Sequence, residues 1–151
     1  MFKGASFGIT NGIITILSIL VGMYSVNASK LSVIGAFLAI LISDPLSDAY
    51  AIYIAEKDDN SEHAYTIGKD AFLSQFILQA LFLIIIICCP TVSMGVVVSI
   101  ITSIIILIVY SIKKQLKMKE VLYNFIGIAV LISITYASDR GVYHFFKNKN
   151  K

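Results

Sequence analysis

The chain has 151 residues, of which 58% are hydrophobic and only 14% charged, and its net charge is +3. A soluble domain carries roughly 25% charged residues, so the composition excludes an ordinary soluble fold. The sparse positive charge excludes the basic patch that nucleic-acid binding needs, and five spans of about 20 residues leave no room for a separate catalytic domain.

Hydropathy predicts a first helix from about Ser6 to Tyr24. Lys3 and the run Val26-Asn27-Ala28 faintly resemble the basic start and cleavage site of a signal peptide. The apolar run is too long for one, and Asn11 and Thr15 interrupt it, so it reads as a mature helix. A polar joint, Ser25 to Lys30, leads into helix two, about Leu31 to Ala55, which carries Asp44, Pro45 and Asp48. The most hydrophilic segment follows, from Glu56 to His63, and continues as short helix or loop to Lys69 and Asp70.

Helix three spans about Ala71 to Cys89 and stops at Pro90, which has no amide hydrogen to continue the ladder. Helix four spans about Val92 to Ile112, and the short connection makes helices three and four an antiparallel hairpin. Lys113, Lys114, Lys117 and Lys119 form a basic joint before helix five, about Val121 to Ser138. The tail from Asp139 to Lys151 holds Arg140, His144 and further lysines. The expected fold is therefore all-α, a single five-helix transmembrane domain over residues 1–151. No alternation of polarity suggests a β-barrel. The adjacent Cys88 and Cys89 read as apolar helix-end residues, not as a disulfide frame or a metal clip.

Orientation follows from lysine and arginine near the spans. With the N-terminus in the cytoplasm, the connecting segments on that side collect Lys57, Lys69, Lys113, Lys114, Lys117 and Lys119, against Lys30 alone on the other. The tail, with Arg140, Lys147, Lys149 and Lys151, opposes that bias. The expectation is a multi-pass protein with a cytoplasmic N-terminus and its C-terminus on the opposite side.

The informative residues are polar groups placed where lipid makes them expensive. A carboxylate at a helix centre costs about 2.5–3.5 kcal/mol on insertion scales. Asp44 and Asp48 are four apart and share a helix face. No Lys or Arg lies within a span to neutralise them, so a proton, a cation, water or hydroxyl partners must offset the cost. Pro45 between them frees a backbone carbonyl, which makes an all-oxygen cation site conceivable. The plainer alternative has Asp44 protonated or bonded to a neighbouring helix, with Asp48 facing water.

Asn11, Thr15 and Ser18 share a face of helix one. Gln75 and Gln79, four apart in helix three, read as interhelical hydrogen-bonding groups, as does Asn124 in helix five. Glu56, Asp58, Asp59, Glu62 and His63 form an acidic segment at the cytoplasmic mouth, either a solvated loop or an electrostatic funnel where Glu62 and His63 meet a divalent ion. Met23 and Met94 read as packing residues, not soft-metal ligands.

The order of these features resembles the vacuolar iron transporter family, which includes nodulin-like proteins and yeast-type vacuolar iron and manganese importers. The run Ile9-Thr10-Asn11-Gly12-Ile13-Ile14-Thr15 is similar to that family's Ser-Asp-Gly-x-x-Thr element, with Gly22 at a similar offset. Ile34-Gly35-Ala36-Phe37-Leu38-Ala39 resembles its small-residue entry to helix two. Leu46-Ser47-Asp48-Ala49-Tyr50-Ala51-Ile52-Tyr53 resembles its Ser-Met-Ala-x-Gly-Glu-Tyr element. Lys113 to Asp139, with Asn124, Gly127 and Tyr136, looks like its basic joint and last helix.

Three positions depart from the pattern. Asn11 stands where the family has an aspartate, Asp48 where it has a methionine, and Ile52 where it has a glutamate. The glutamate-rich cytoplasmic insert between helices two and three is also missing, leaving only Glu56 to Asp70.

The resemblance implies a homodimer with its pathway at the two-fold interface, lined by helices one and two, and proton-coupled transport. The expected function is thus a divalent metal cation transporter for iron or manganese, exporting the ion from the cytoplasm or into a compartment. Its metal residues would be Asp48, Asp44 and Asn11 in the pathway, with Glu56, Glu62 and His63 at the mouth. No permanently bound cofactor is expected, only the transported ion, and the partners are the lipid bilayer, a second copy, the metal and protons. The alternative is a membrane scaffold that kept the fold and lost transport. An enzyme is not expected, since no nucleophile–base arrangement or cofactor motif is present.

Overall fold

The computed structural model describes residues 2–58, 61–114, 126–127, 129–130, 133–138 and 140–141. Its long elements are four α-helices, α1 (Phe2–Ser25), α2 (Lys30–Glu56), α3 (Ser61–Cys88) and α4 (Val92–Lys114). No strand occurs among the described residues. All four helices are long and apolar enough to cross a membrane by length and composition, which suits a multi-pass integral membrane protein. Residues 126–127, 129–130, 133–138 and 140–141 are helical too, within and just beyond the expected fifth helix. Val121, Asn124, Lys117, Lys119 and His144 lie outside the described residues.

Three boundaries differ from the hydropathy reading by more than one residue. α1 starts at Phe2, not Ser6, and α4 runs on to Lys114. The larger difference is α3, which starts at Ser61, so the segment leading to Lys69 and Asp70 is helix and not loop. The cause is a buried stripe. Ala64, Ile67, Gly68, Ala71, Gln75, Leu78, Gln79, Phe82, Leu83 and Ile86 recur at the three- and four-residue spacing of one helical face. That stripe begins in the polar stretch, so packing extends the helix beyond the apolar run. At 1.5 Å per residue, α3 is about 42 Å long, more than the roughly 30 Å of hydrocarbon.

The chain divides into two compact units. The first comprises residues 1–16 and 34–88, which are the start of α1, most of α2 and all of α3. Within it α1 lies against α3 through glycines at four-residue spacing. A Cβ on Gly4 would sit 2.1 Å from the Ile67 carbonyl oxygen, and one on Gly8 would sit 2.1 Å from Ser74 Oγ and 2.4 Å from the Ala71 carbonyl oxygen. Gly12 meets Leu78 at 2.9 Å in the same sense. Small residues in this spacing let two membrane helices approach backbone to backbone. Gly68 does the same toward α2, where an added Cβ would sit 2.9 Å from the Ala49 carbonyl oxygen.

The second unit comprises residues 17–33 and 89–151. Here α1 ends in a left-handed residue, Asn27, with φ 56°. The amide of Ala28 donates to the Met23 carbonyl at 2.9 Å, and that of Asn27 to Tyr24 at 3.0 Å, which closes the helix in a Schellman motif. Ser29 then caps α2 by accepting from the Ser32 amide at 3.1 Å, and Thr91 caps α4 by accepting from the Met94 amide at 3.2 Å. The Lys30 ammonium donates to the Cys89 carbonyl at 2.7 Å, joining the α1–α2 turn to the α3–α4 turn. α4 buries Gly95, Val96, Ser99, Ser103, Leu107 and Ser111 along one face. Cys88 and Cys89 are free thiols.

Candidate functional site

The expensive polar residues of the first unit meet one another. α2 brings Asp44 and Asp48, one helical turn apart, to the side where α1 and α3 pack. α3 supplies Gln75 and Gln79, again one turn apart, and α1 supplies Asn11. Gln75 Nε2 donates to Asp44 Oδ2 at 2.7 Å and to Asp48 Oδ2 at 2.9 Å, so one amide nitrogen spends both hydrogens on the two carboxylates. Gln79 Nε2 donates to Asp44 Oδ2 at 2.6 Å. Asn11 Nδ2 donates to Asp48 Oδ2 from the opposite helix. Pro45, between the two acids, is buried within an unbroken α2.

The cluster is tight because α1 and α3 approach so closely. Gly8 and Gly12 flank Asn11, and their missing side chains let α1 settle onto α3 beside Gln75. Both acids are half-buried, while Gln75 and Gln79 are 0% and 1% exposed. Each glutamine also keeps its Oε1 buried with no hydrogen-bond partner among the described residues. Turning either amide end for end would only exchange an orphan acceptor for an orphan donor. A buried unsatisfied polar atom costs about 1–3 kcal/mol, so two of them beside a pair of carboxylates mark a place where further polar chemistry fits.

Electrostatically the cluster is acidic and uncompensated. Its hydrogen-bond donors are neutral amides, and among the described residues no basic side chain takes part. An ion pair of this unit lies two helical turns away, where Lys3 of α1 meets Glu56 of α2. Oxygen is the sole ligand type that Asp44, Asp48, Gln75, Gln79 and Asn11 offer a cation, and such a set suits hard ions. Among the described residues no three His, Cys, Asp or Glu side chains converge as a metal cage. Two carboxylates supply the charge here, and amides supply the remaining oxygens.

Of the six residues expected to handle metal, Asn11, Asp44 and Asp48 come together, and Glu56 pairs with Lys3 instead. Glu62 and His63 are exposed on the first turn of α3. Asp59 lies outside the described residues. Gln75 and Gln79 act between helices as their spacing suggests, and they bond to the acids themselves. The glycine row of α1 is the feature that hydropathy passes over, although its signal, Gly4, Gly8 and Gly12 at four-residue intervals, is plain in the sequence. Comparison with protein-family profiles, with curated proteins and with solved structures returned no match.

Proposed function

We propose that the protein is a membrane transporter for a hard divalent cation, iron(II) or manganese(II), moved out of the cytoplasm or into a compartment in exchange for protons. The observation that carries this reading is the pair Asp44 and Asp48, inside a membrane-spanning helix, held among the described residues by the neutral amides of Asn11, Gln75 and Gln79, with the Gln75 and Gln79 carbonyl oxygens buried and unpaired. Two carboxylates in lipid without a basic partner call for a positive charge. A divalent ion supplies it in one step and two protons supply it in another, which is the exchange that coupled transport requires. In this reading Asp48 and Asp44 carry the cation or the protons. Asn11, Gln75 and Gln79 hold them apart from lipid and turn their amide oxygens to the ion when it enters.

The chain is read as crossing the membrane five times, with its N-terminus cytoplasmic. Supporting a fifth crossing, Arg140 Nη1 donates to the Ser25 carbonyl at 3.3 Å, at the α1–α2 turn, whereas α4 ends at Lys114 after leaving that same side. A homodimer is part of the proposal. It is favoured by α2, whose Gly35, Ala39, Ser43, Ser47 and Ala51 form an exposed small-residue row beside exposed Leu38, Ile42, Leu46 and Tyr50. The acids find their partners on α1 and α3 of the same chain, so the dimer is not needed to satisfy them.

The second reading is a non-transporting scaffold. The amide caps on both acids and the departures at Asn11, Asp48 and Ile52 favour it. Titration of detergent-purified protein with Mn²⁺ or Fe²⁺ separates the two. A transporter gains thermal stability with the ion, by about 2.7 kcal/mol at a hundred times the dissociation constant, and Asp48→Asn loses that gain. A scaffold shows no ion-dependent shift in either protein.

A further inference from the structure

Two antiparallel rows face each other in the first unit. Along α1 stand Lys3, Phe7 and Asn11, each four residues from the next. Along α2, in the opposite direction, stand Glu56, Ile52 and Asp48 at the same spacing. Lys3 pairs with Glu56 and Asn11 bonds to Asp48, so the two rows are in register at both ends. Between those contacts lies a cavity of about 160 Å³ lined by Lys3, Phe7, Ile52, Ala55, Glu56 and Ile67. In order from the helix ends inward, this is a charged pair, then the apolar pair Phe7 and Ile52, then the carboxylate cluster.

We propose that Glu56 is the entry site for the transported cation and that Lys3 is a tethered competitor which holds that site shut. This rests on the transport reading above. The Lys3 ammonium is a cation the chain supplies to its own mouth. An incoming metal ion must displace it from the Glu56 carboxylate before reaching Phe7 and Ile52. The ammonium side chain is 68% exposed and the Glu56 side chain 24%. The lysine can therefore swing into water while the carboxylate stays fixed at the cavity. An exposed ion pair contributes roughly 0.2–1 kcal/mol, which is weak enough for a divalent ion to replace. Releasing Lys3 leaves the apolar pair Phe7 and Ile52 as the remaining barrier, and the cavity they line gives Phe7 room to turn.

The test uses the full-length protein with Cys88 and Cys89 replaced by serine. Ile52→Cys is introduced as a reporter on the cavity wall, and its modification by a positively charged, membrane-impermeant thiosulfonate is timed. Lys3→Gln is expected to speed modification by about 1.4- to fivefold, the factor that corresponds to the pair energy above. Lys57→Gln is the control. That lysine lies over the Tyr53 ring, 5.9 Å from its centroid, and carries the same charge at the same end of the helix without bonding to Glu56. It is expected to change the rate far less. An unchanged rate in Lys3→Gln, or an equal acceleration in Lys57→Gln, would overturn the proposal. The readout needs no transport, so a protein with this gate and no metal flux would count against the transport reading alone. In a protein that does transport, Lys3→Gln should also lower the half-saturating Mn²⁺ concentration by about the same factor.

Discussion

Asp44 and Asp48 are bound together by a single amide nitrogen, and that makes Gln75 the residue on which the cluster turns. Gln75→Leu removes two charge-assisted bonds from half-buried carboxylates. It should destabilise the protein by about 1–3 kcal/mol, read as a lower unfolding midpoint in detergent. Pairing it with Asp44→Asn should return part of that loss, since a neutral amide costs less than a carboxylate to leave without the donor, and a double-mutant cycle measures the coupling. At the end of α1, Asn27→Val should cost about 1–2 kcal/mol because a branched residue resists the left-handed conformation, whereas Asn27→Gly should be tolerated. Each of these residues could be picked out in the sequence as polar and costly, or as the end of a helix. Their convergence could not. Four-residue spacing puts Asp44 with Asp48 and Gln75 with Gln79, but nothing local says that these two faces meet, or that Asn11 joins them.

The helices themselves were largely legible, since apolar runs of membrane length leave few alternatives to α-helix. α3 shows where that reasoning stops. Hydropathy marks its lipid-facing part from Ala71, while the buried stripe through Ala64, Ile67 and Gly68 extends the helix ten residues further out. Polarity measures where lipid ends, and packing decides where the helix ends. The glycine row of α1 gives a prediction at this scale. A Cβ at Gly8 would meet α3 at 2.1 Å, whereas at Gly35 it would meet nothing within 4 Å. Gly8→Ala should therefore destabilise the protein by about 1–3 kcal/mol through overpacking. Gly35→Ala should be neutral or stabilising by up to about 1 kcal/mol, as expected for an exposed helical glycine. Thermal unfolding of the two variants side by side checks the contrast, and equal effects would mean that α1 does not lie on α3 this closely.

For the molecule as a whole, the proposed topology takes its orientation, with a cytoplasmic N-terminus, from lysine placement alone, and its fifth crossing is supported by the Arg140–Ser25 contact. Single cysteines at Ser29 and Ser61, in a background lacking Cys88 and Cys89, should react with impermeant reagent from opposite sides, Ser61 from the cytoplasm. The central claim is that the carboxylate–amide cluster carries cations across. It is tested by Mn²⁺ and Fe²⁺ flux into proteoliposomes under an imposed proton gradient, comparing wild type with Asp48→Ala. The account predicts gradient-dependent flux in the wild type that Asp48→Ala abolishes. No flux of either ion through folded, inserted wild-type protein, or flux that survives the substitution, would contradict it.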